Sequence, residues 1–344
     1  MAIPITRPSI KRADMDSVLT CMVSDSLGPG ALGQRLVKDI CEYIGCGGGL
    51  ALREYGRAIK FACRALELPG GSRVAISPLA PRVYMEAFQE EGFQAVYADV
   101  EEDSGCLSPA GVEALRGEGI AAVVVHANLG FVPDMEGFLE LGIPVIEDIS
   151  QAVGANTGTR KLGCFGSYTI VSLEPDGIIT SGGGAVLLCR GRKETQALSR
   201  LSRQPLPGEL LPDFNAALGI TQVKNIEKFI EKRKEIAGVF SHAAMQSRHR
   251  MLSQKGDAEN IFFSFPLLLA SGMKDIQAYA RKKGIESEAA FTGSILAYLA
   301  EEEAAAKKYP VARSFLLRCL LFPLYPALAK ASVEMITRVL STLP

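Results

Sequence analysis

Apolar residues recur along this chain at two periods, and their alternation predicts the architecture. Residues 1–30 read as extended, with an amphipathic stretch near 14–23. Leu32, Leu36, Val37, Ile40 and Ile44 repeat at helical spacing, predicting a helix over 32–44 that the glycine-rich residues 45–49 break. GRAIKFACRALEL (56–68) sets Ile59, Ala62, Cys63 and Leu66 on one face and predicts a second helix. Short apolar runs then alternate with helical ones. Strands are expected at 73–77, 95–99, 121–126 and 144–148, and helices at 81–91, 109–116 and 135–141. A strand over 169–173 leads into a polar turn, a glycine run (Gly182–Gly184) and a second apolar run at 185–188. Such βαβ repetition with valine-rich strands predicts a mostly parallel sheet covered on both faces. Ligands of such sheets lie at the carboxyl ends of the strands, which here means 126–130, 147–151 and 172–184.

Beyond 184 the pattern changes. A proline-rich loop (205–212) precedes a long charged helix over 215–240, open to one interruption. A strand at 260–269, a helix at 275–283 and helices at 309–317 and 333–340 flanking CLLFPLYP predict a smaller α+β unit. The expected division is a large α/β domain over 1–238 and a small one over 239–344.

Composition narrows the function classes. The 344 residues are 48% hydrophobic and 22% charged, with net charge −1, so nothing points to nucleic acid. No apolar run approaches the ~18–20 residues of a membrane span, and MAIPITRPSIKRADMD has no apolar signal core. A cytoplasmic protein is expected. The eight cysteines form no CxxC pair and read as buried thiols in a reducing compartment. His126, His242 and His249 lack ligand spacing to any cysteine pair, so no metal site is expected.

Several strand-end residues could carry chemistry. Glu147-Asp148 closes a buried strand; a carboxylate there can hold a protonated heterocyclic nitrogen, or Asp148 can simply cap the next helix. Gly56-Arg57 opens a helix, where an anion can sit. The Ser172 hydroxyl could reach a phosphate, or satisfy its own turn. His126 ends another strand and reads as structural or as a substrate-pocket residue, with Asn128 beside it. There is no GxxxxGK[ST], and no GxGxxG opens a helix after the first strand.

Taken together, IPITRPSI (3–10), GRAIKFACRALELPGGSRVAISP (56–78), VVVHANLGFVPDME (123–136), VIEDISQAVGA (145–155), GTRKLGCFGSYTIVSLEP (158–175) and FNAALGITQVKNIEKFIEKRKEI (214–236) resemble the DegT/DnrJ/StrS family of sugar aminotransferases. The resemblance implies a fold-type-I, aspartate-aminotransferase-like α/β fold. It implies a homodimer, pyridoxal phosphate (PLP) or its pyridoxamine form (PMP), and a nucleotide-linked keto sugar as substrate. Asp148 matches the carboxylate facing the pyridine nitrogen and Gln151 a neighbour of the cofactor; Ser172 and Gly56 match phosphate contacts, with Arg57 beside them.

The departures are informative. The family motif Ser-Phe-x-x-x-Lys, whose lysine forms the Schiff base, reads Ser172-Leu173-Glu174-Pro175-Asp176-Gly177 here. Gly177 or Asp176, depending on register, stands at the lysine position, and no catalytic residue remains to be assigned. Arg57 replaces a threonine, Leu211-Pro212-Asp213 replaces a segment that reaches the partner's cofactor, and 291–300 has no histidine. Lysine supplies both nucleophile and base. The expectation is therefore a catalytically degenerate homologue that acts as a binding or regulatory protein, as a homodimer or as a heterodimer with an active paralogue. Any PLP or PMP would be held non-covalently, if at all. The alternative is a surviving enzyme with another base, such as His126; a third reading has Arg57 and the glycine turn hold a different anion.

Overall fold

In a computed structural model, residues 2–201, 207–270, 272–299 and 308–344 are described. Helices α1 (Arg12–Val23) and α2 (Ala31–Ile44) lead into strand β1 (Gly48–Leu52) and helix α3 (Tyr55–Ala65). Then follow β2 (Arg73–Ile76), α4 (Val83–Glu91), β3 (Gln94–Tyr97), α5 (Pro109–Glu113), β4 (Ile120–His126), α6 (Met135–Glu140) and β5 (Val145–Asp148). A short hairpin, β6 (Asn156–Thr157) and β7 (Arg160–Lys161), precedes β8 (Tyr168–Ser172), β9 (Ala185–Cys189) and α7 (Arg192–Leu201). These strands make a seven-stranded sheet ordered β1-β9-β8-β5-β4-β2-β3, parallel except where β9 runs against both its neighbours.

Side-chain alternation explains the sheet's burial. Along β4, Val123 and Val125 enter the core on one face while Ala122 and Val124 enter the core on the other. On β9, Val186 and Leu188 face the first core, and Ala185 and Leu187 the second. A strand buried on both faces has no polar side, as its sequence shows. The first core is closed by α2, α6 and the residues Ala216, Ile220, Ile226 and Phe229; the second by α3, α4 and α7.

The long charged helix is two, α8 (Asp213–Val223) and α9 (Ile226–Ala244). In α9, Ile226 and Phe229 pack on the large sheet, whereas Ile236, Phe240 and Ala243 pack in a third core. That core belongs to a four-stranded antiparallel sheet, β10 (Arg250–Met251), β11 (Phe265–Leu268), β12 (Glu288–Ala289) and β13 (Cys319–Phe322), ordered β10-β11-β13-β12. Helices α10 (Met273–Lys282), α11 (Ile295–Leu299), α12 (Pro310–Arg318) and α13 (Lys330–Ser341) follow; α10 and α13 close the third core, while Leu296 of α11 and Ala312 and Phe315 of α12 pack in a fourth with Leu129, Phe131 and Leu268. Residue 238 lies inside α9, and Ile3 returns to pair with Ile285 and joins the third core.

One expectation needs correction. The strand expected at 260–269 spans only Phe265–Leu268, because Phe262 takes a left-handed φ of 57° while the Asn260 side chain accepts from its N–H. The glycines of 45–49 do end α2, with Gly45 left-handed at φ 98°, but they then start β1. Any side chain at Gly49 would collide with the Leu187 carbonyl, so glycine is what lets β1 lie against β9. The loop expected at 205–212 lies partly outside the described residues. Among the described residues no helix is long and apolar enough to cross a membrane.

Candidate active site

Parallel pairing of β4 with β5 sets His126 beside Asp148 at the carboxyl edge of the sheet. Asp148 is 0% exposed and His126 2%. The Asp148 Oδ2 accepts from His126 Nδ1 at 2.8 Å, from the Tyr84 hydroxyl at 2.7 Å and from the Tyr55 hydroxyl. Its Oδ1 accepts from the Ser150 N–H at 3.1 Å and the Ser150 hydroxyl at 2.6 Å. An ionised carboxylate has about four lone-pair directions; five donors from this chain use them. Burial alone would raise the Asp148 carboxyl. The charge of His126 and the hydrogen bonds from His126, Ser150 and Tyr55 outweigh it and hold the carboxyl at about 2. As the carboxylate can only accept, His126 Nδ1 carries the proton of their bond.

The two phenols arrive from different helices. Tyr55 is the first residue of α3, Tyr84 lies in α4, and their rings meet edge-on at 6.3 Å. Burial raises both hydroxyls well above the ordinary phenol range, followed by the Asp148 charge, so both remain neutral donors. Glu147, one residue earlier, faces the other way. It accepts from the N–H groups of Gly163 (2.7 Å), Phe165 (2.6 Å) and Gly166; burial nonetheless pushes its carboxyl up.

Of the other expected residues, Ser172 reaches this cluster and the rest occupy separate networks. Ser172 donates its N–H to Ser150 Oγ at 2.9 Å, which links β8 to the Asp148 cluster. Its own hydroxyl accepts from the Glu174 N–H at 3.4 Å. Gln151 Oε1 accepts from the Leu129 N–H at 2.8 Å, and Asn128 Nδ2 donates to the Gly105 carbonyl at 2.8 Å. Gly56 is the second residue of α3; Arg57 beside it pairs with Glu209 at 3.3 Å. The structure thus gathers Asp148, His126 and, through Ser150, Ser172, but gives Gln151 and Asn128 to the turn at 128–130. Tyr55, Tyr84 and Ser150 were not expected. Tyr55 directly precedes Gly56-Arg57 and Ser150 lies within VIEDISQAVGA, yet nothing local connects Tyr84 to a carboxylate 64 residues away.

The glycine-rich turn closes on itself. The Leu173 carbonyl accepts from Ser181 N–H (3.0 Å), Gly183 N–H (3.1 Å) and Thr180 Oγ1 (2.9 Å), while Gly182 N–H goes to Thr180 Oγ1 at 2.9 Å. Those N–H groups are not free for an anion. A Cβ at Gly177 would stand 2.7 Å from the Ile179 carbonyl oxygen, and Asp176 is exposed. Lys161, one of the two nearest lysines in sequence, pairs with Glu227 at 2.8 Å; the other, Lys193, lies on α7.

This donor set does not suit a pyridoxal ring held as the resemblance implies. A pyridinium N–H needs an open lone pair on Asp148, and the two phenols, His126 and Ser150 take them all. Arg57 is engaged by Glu209, and no lysine stands at the turn. Beside Tyr55 an open cleft of about 710 Å³ is lined by Arg82, Glu86, Thr292, Ser294 and Tyr298, with the Arg82 guanidinium 5.6 Å from the Tyr298 ring centre.

Comparison with known proteins agrees with the fold. The spore coat polysaccharide biosynthesis protein SpsC of Bacillus subtilis is 25% identical over 271 residues, covering 71% of this chain and 69% of SpsC. GDP-perosamine synthase of Caulobacter vibrioides is 23% identical over 318 residues, 84% of each chain. Among solved structures, Spr1654 of Streptococcus pneumoniae in a PLP form superposes with TM-score 0.91 at 17% identity, over 99% of this chain and 98% of that one. PseC of Helicobacter pylori, an aminotransferase of pseudoaminic acid biosynthesis, gives 0.89 at 18%, over 99% and 98%. Likenesses at such identity establish the fold. The profile of the PLP-dependent DegT/DnrJ/EryC1/StrS aminotransferase family matches residues 8–341, and the chain belongs to that family.

Proposed function

We propose that this chain is a non-transaminating member of its family, a binding or regulatory protein of nucleotide-sugar or polysaccharide biosynthesis. The observation that carries the reading is the Asp148 carboxylate, buried and saturated by Tyr55, Tyr84, His126 and Ser150. A carboxylate committed to the protein in this way is a structural group. The missing lysine supports the same reading, because its loss removes nucleophile and base together, a change that costs orders of magnitude in rate. His126 is no replacement, being buried and tied to Asp148. Relatives named for polysaccharide biosynthesis and GDP-perosamine synthesis suggest the ligand class. The cleft beside Tyr55 suits a sugar nucleotide: Tyr298 offers a ring face, Arg82 a cation, and Thr292 and Ser294 hydroxyls.

The assembly proposed is a pair of copies. Met15, Leu19, Met22 and Val23 of α1, with Leu27 and Phe214, are exposed apolar side chains, and the family resemblance names a second copy as their cover. The functional test incubates purified protein with PLP, glutamate and a nucleotide-linked keto sugar. No amino sugar above the protein-free background is expected; protein-dependent amino transfer would overturn the reading. In parallel, nucleotide sugars should raise the melting temperature of the native protein and not that of Arg82→Ala.

A further inference from the structure

Two partly buried cysteines lie together on the far side of Glu147 from the Asp148 cluster. Cys46 follows Gly45, the left-handed residue that ends α2, and Cys164 lies between β7 and β8. Their contacts cross. The Cys46 thiol donates to the Gly163 carbonyl at 3.2 Å, and the Cys164 thiol donates to the Ile44 carbonyl at 2.8 Å. Cys164 Sγ would be only 3.4 Å from a Cβ on Gly45, the chain neighbour of Cys46. The segments 44–46 and 163–164 are therefore interlocked through their two sulfurs. The other six cysteines are buried. Cys41 and Cys189, the nearest of them, have thiols that burial raises, Cys41 to about 11.

The surroundings make the two sulfurs unequal. When Cys164 ionises, the Cys46 S–H turns from the Gly163 carbonyl to its sulfur; that hydrogen bond, with the positive charge of Arg160 and Arg190, outweighs burial and Glu147, and the Cys164 thiol falls to about 7. Cys46 moves the other way, because its S–H is held by Cys164 and it is partly buried. One acidic sulfur on a half-buried residue, beside a second that can follow, is the arrangement of attacking and resolving thiols. A metal does not explain the pair, since no group of three His, Cys, Asp or Glu able to hold one occurs among the described residues.

We propose that Cys46 and Cys164 are a redox-active dithiol that closes to a disulfide by exchange with a small disulfide such as glutathione disulfide. The Cys164 thiolate attacks one sulfur of glutathione disulfide; that S–S bond breaks and one glutathione thiolate leaves with the electron pair. Cys46 gives up its proton and attacks the Cys164 sulfur of the mixed disulfide, displacing the second glutathione. The two protein thiols are oxidised by two electrons, one disulfide is reduced to two thiols, and these take up the two protons. The bond would staple the end of α2 to the 163–166 segment whose N–H groups hold Glu147, one residue before Asp148. This inference does not depend on the functional reading above.

The test equilibrates fully reduced, full-length protein in glutathione buffers of rising oxidised fraction, traps free thiols by alkylation and maps peptides by mass. Two of the eight thiols should disappear together, in one crosslinked pair joining residues 46 and 164. In Cys46→Ser, Cys164 should instead accumulate bound glutathione at least tenfold above the native level, having lost its resolving partner. Retention of all eight thiols at the most oxidising ratio, or a crosslink joining other cysteines, would overturn the proposal. So would equal glutathione occupancy of Cys164 in native protein and Cys46→Ser. Should Cys46→Ser fail to fold, the native peptide map decides.

Discussion

Asp148→Asn changes one atom type at the centre of the proposed structural cluster, and its cost separates a carboxylate kept for the fold from one kept for a ligand. Asparagine keeps one carbonyl oxygen for either Ser150 or the Tyr55–Tyr84–His126 set. Its NH2 then faces the other set, donor against donor, and the charge opposite His126 is gone. Hydrogen bonds to a charged group contribute roughly 1.5–3 kcal/mol each, and breaking a buried pair on one side costs about 3–5 kcal/mol. The expected loss is about 4 kcal/mol. At about 2.1 cal/mol/K per residue, unfolding 344 residues carries roughly 0.7 kcal/mol/K, so the melting temperature should fall by about 5–6 °C. Far-UV circular dichroism through a urea titration reads the change, the chain having no tryptophan. Tyr84→Phe, which removes one donor and leaves four, should cost about 1–2 kcal/mol. It should also be non-additive with Asp148→Asn, since the two share one contact. A carboxylate held ready for a ligand behaves differently: replacing it leaves stability unchanged or raises it. An Asp148→Asn protein within about 0.5 kcal/mol of native would refute the reasoning.

Other outcomes follow from the same contacts. The Asp148 carboxyl is held at about 2 when folded, below its unfolded value. Its contribution, roughly 2 kcal/mol, is therefore complete above about pH 4 and lost as pH falls toward 2. Glu147, raised when folded, has the opposite sign: its cost appears as pH rises through its unfolded value. The acid loss of the urea midpoint should thus shrink in Asp148→Asn. Arg233 is buried, has no carboxylate partner among the described residues, and donates through Nη1 to the carbonyls of Phe262 (3.1 Å), Phe263 (2.7 Å) and Leu324 (2.9 Å). Arg233→Met should cost about 2–4 kcal/mol by leaving those carbonyls unpaired, and a urea midpoint unchanged from native would contradict this. Light scattering at micromolar concentration should give twice the chain mass, and Leu19→Glu should give the monomer; a native monomer would remove the second copy from the account.

The parallel sheet was legible because its strands carry their burial in sequence: Ala122 to Val125 alternate between two cores and are apolar on both faces. β1 was not, because its glycines are selected by the approach of the β9 backbone, a contact outside any local window. At the site, Asp148, His126 and Ser172 could be named because strand ends are where such sheets place function. Their partners could not. Tyr55 and Tyr84 stand 93 and 64 residues from Asp148 and look like helix residues with an inward face. That the turn 174–184 carries no lysine is visible in one line of sequence; that the Asp148 carboxylate already holds two tyrosines is visible only when α3 and α4 are brought over the strand ends.

The most direct test of the central claim is the affinity of the native protein for PLP, measured by equilibrium dialysis with an absorbance readout. The account predicts no saturable binding up to millimolar cofactor, and the same result for Asp148→Asn. Stoichiometric, saturable binding to the native protein that Asp148→Asn abolishes would contradict it, because the carboxylate would then be serving a ligand instead of the two tyrosines.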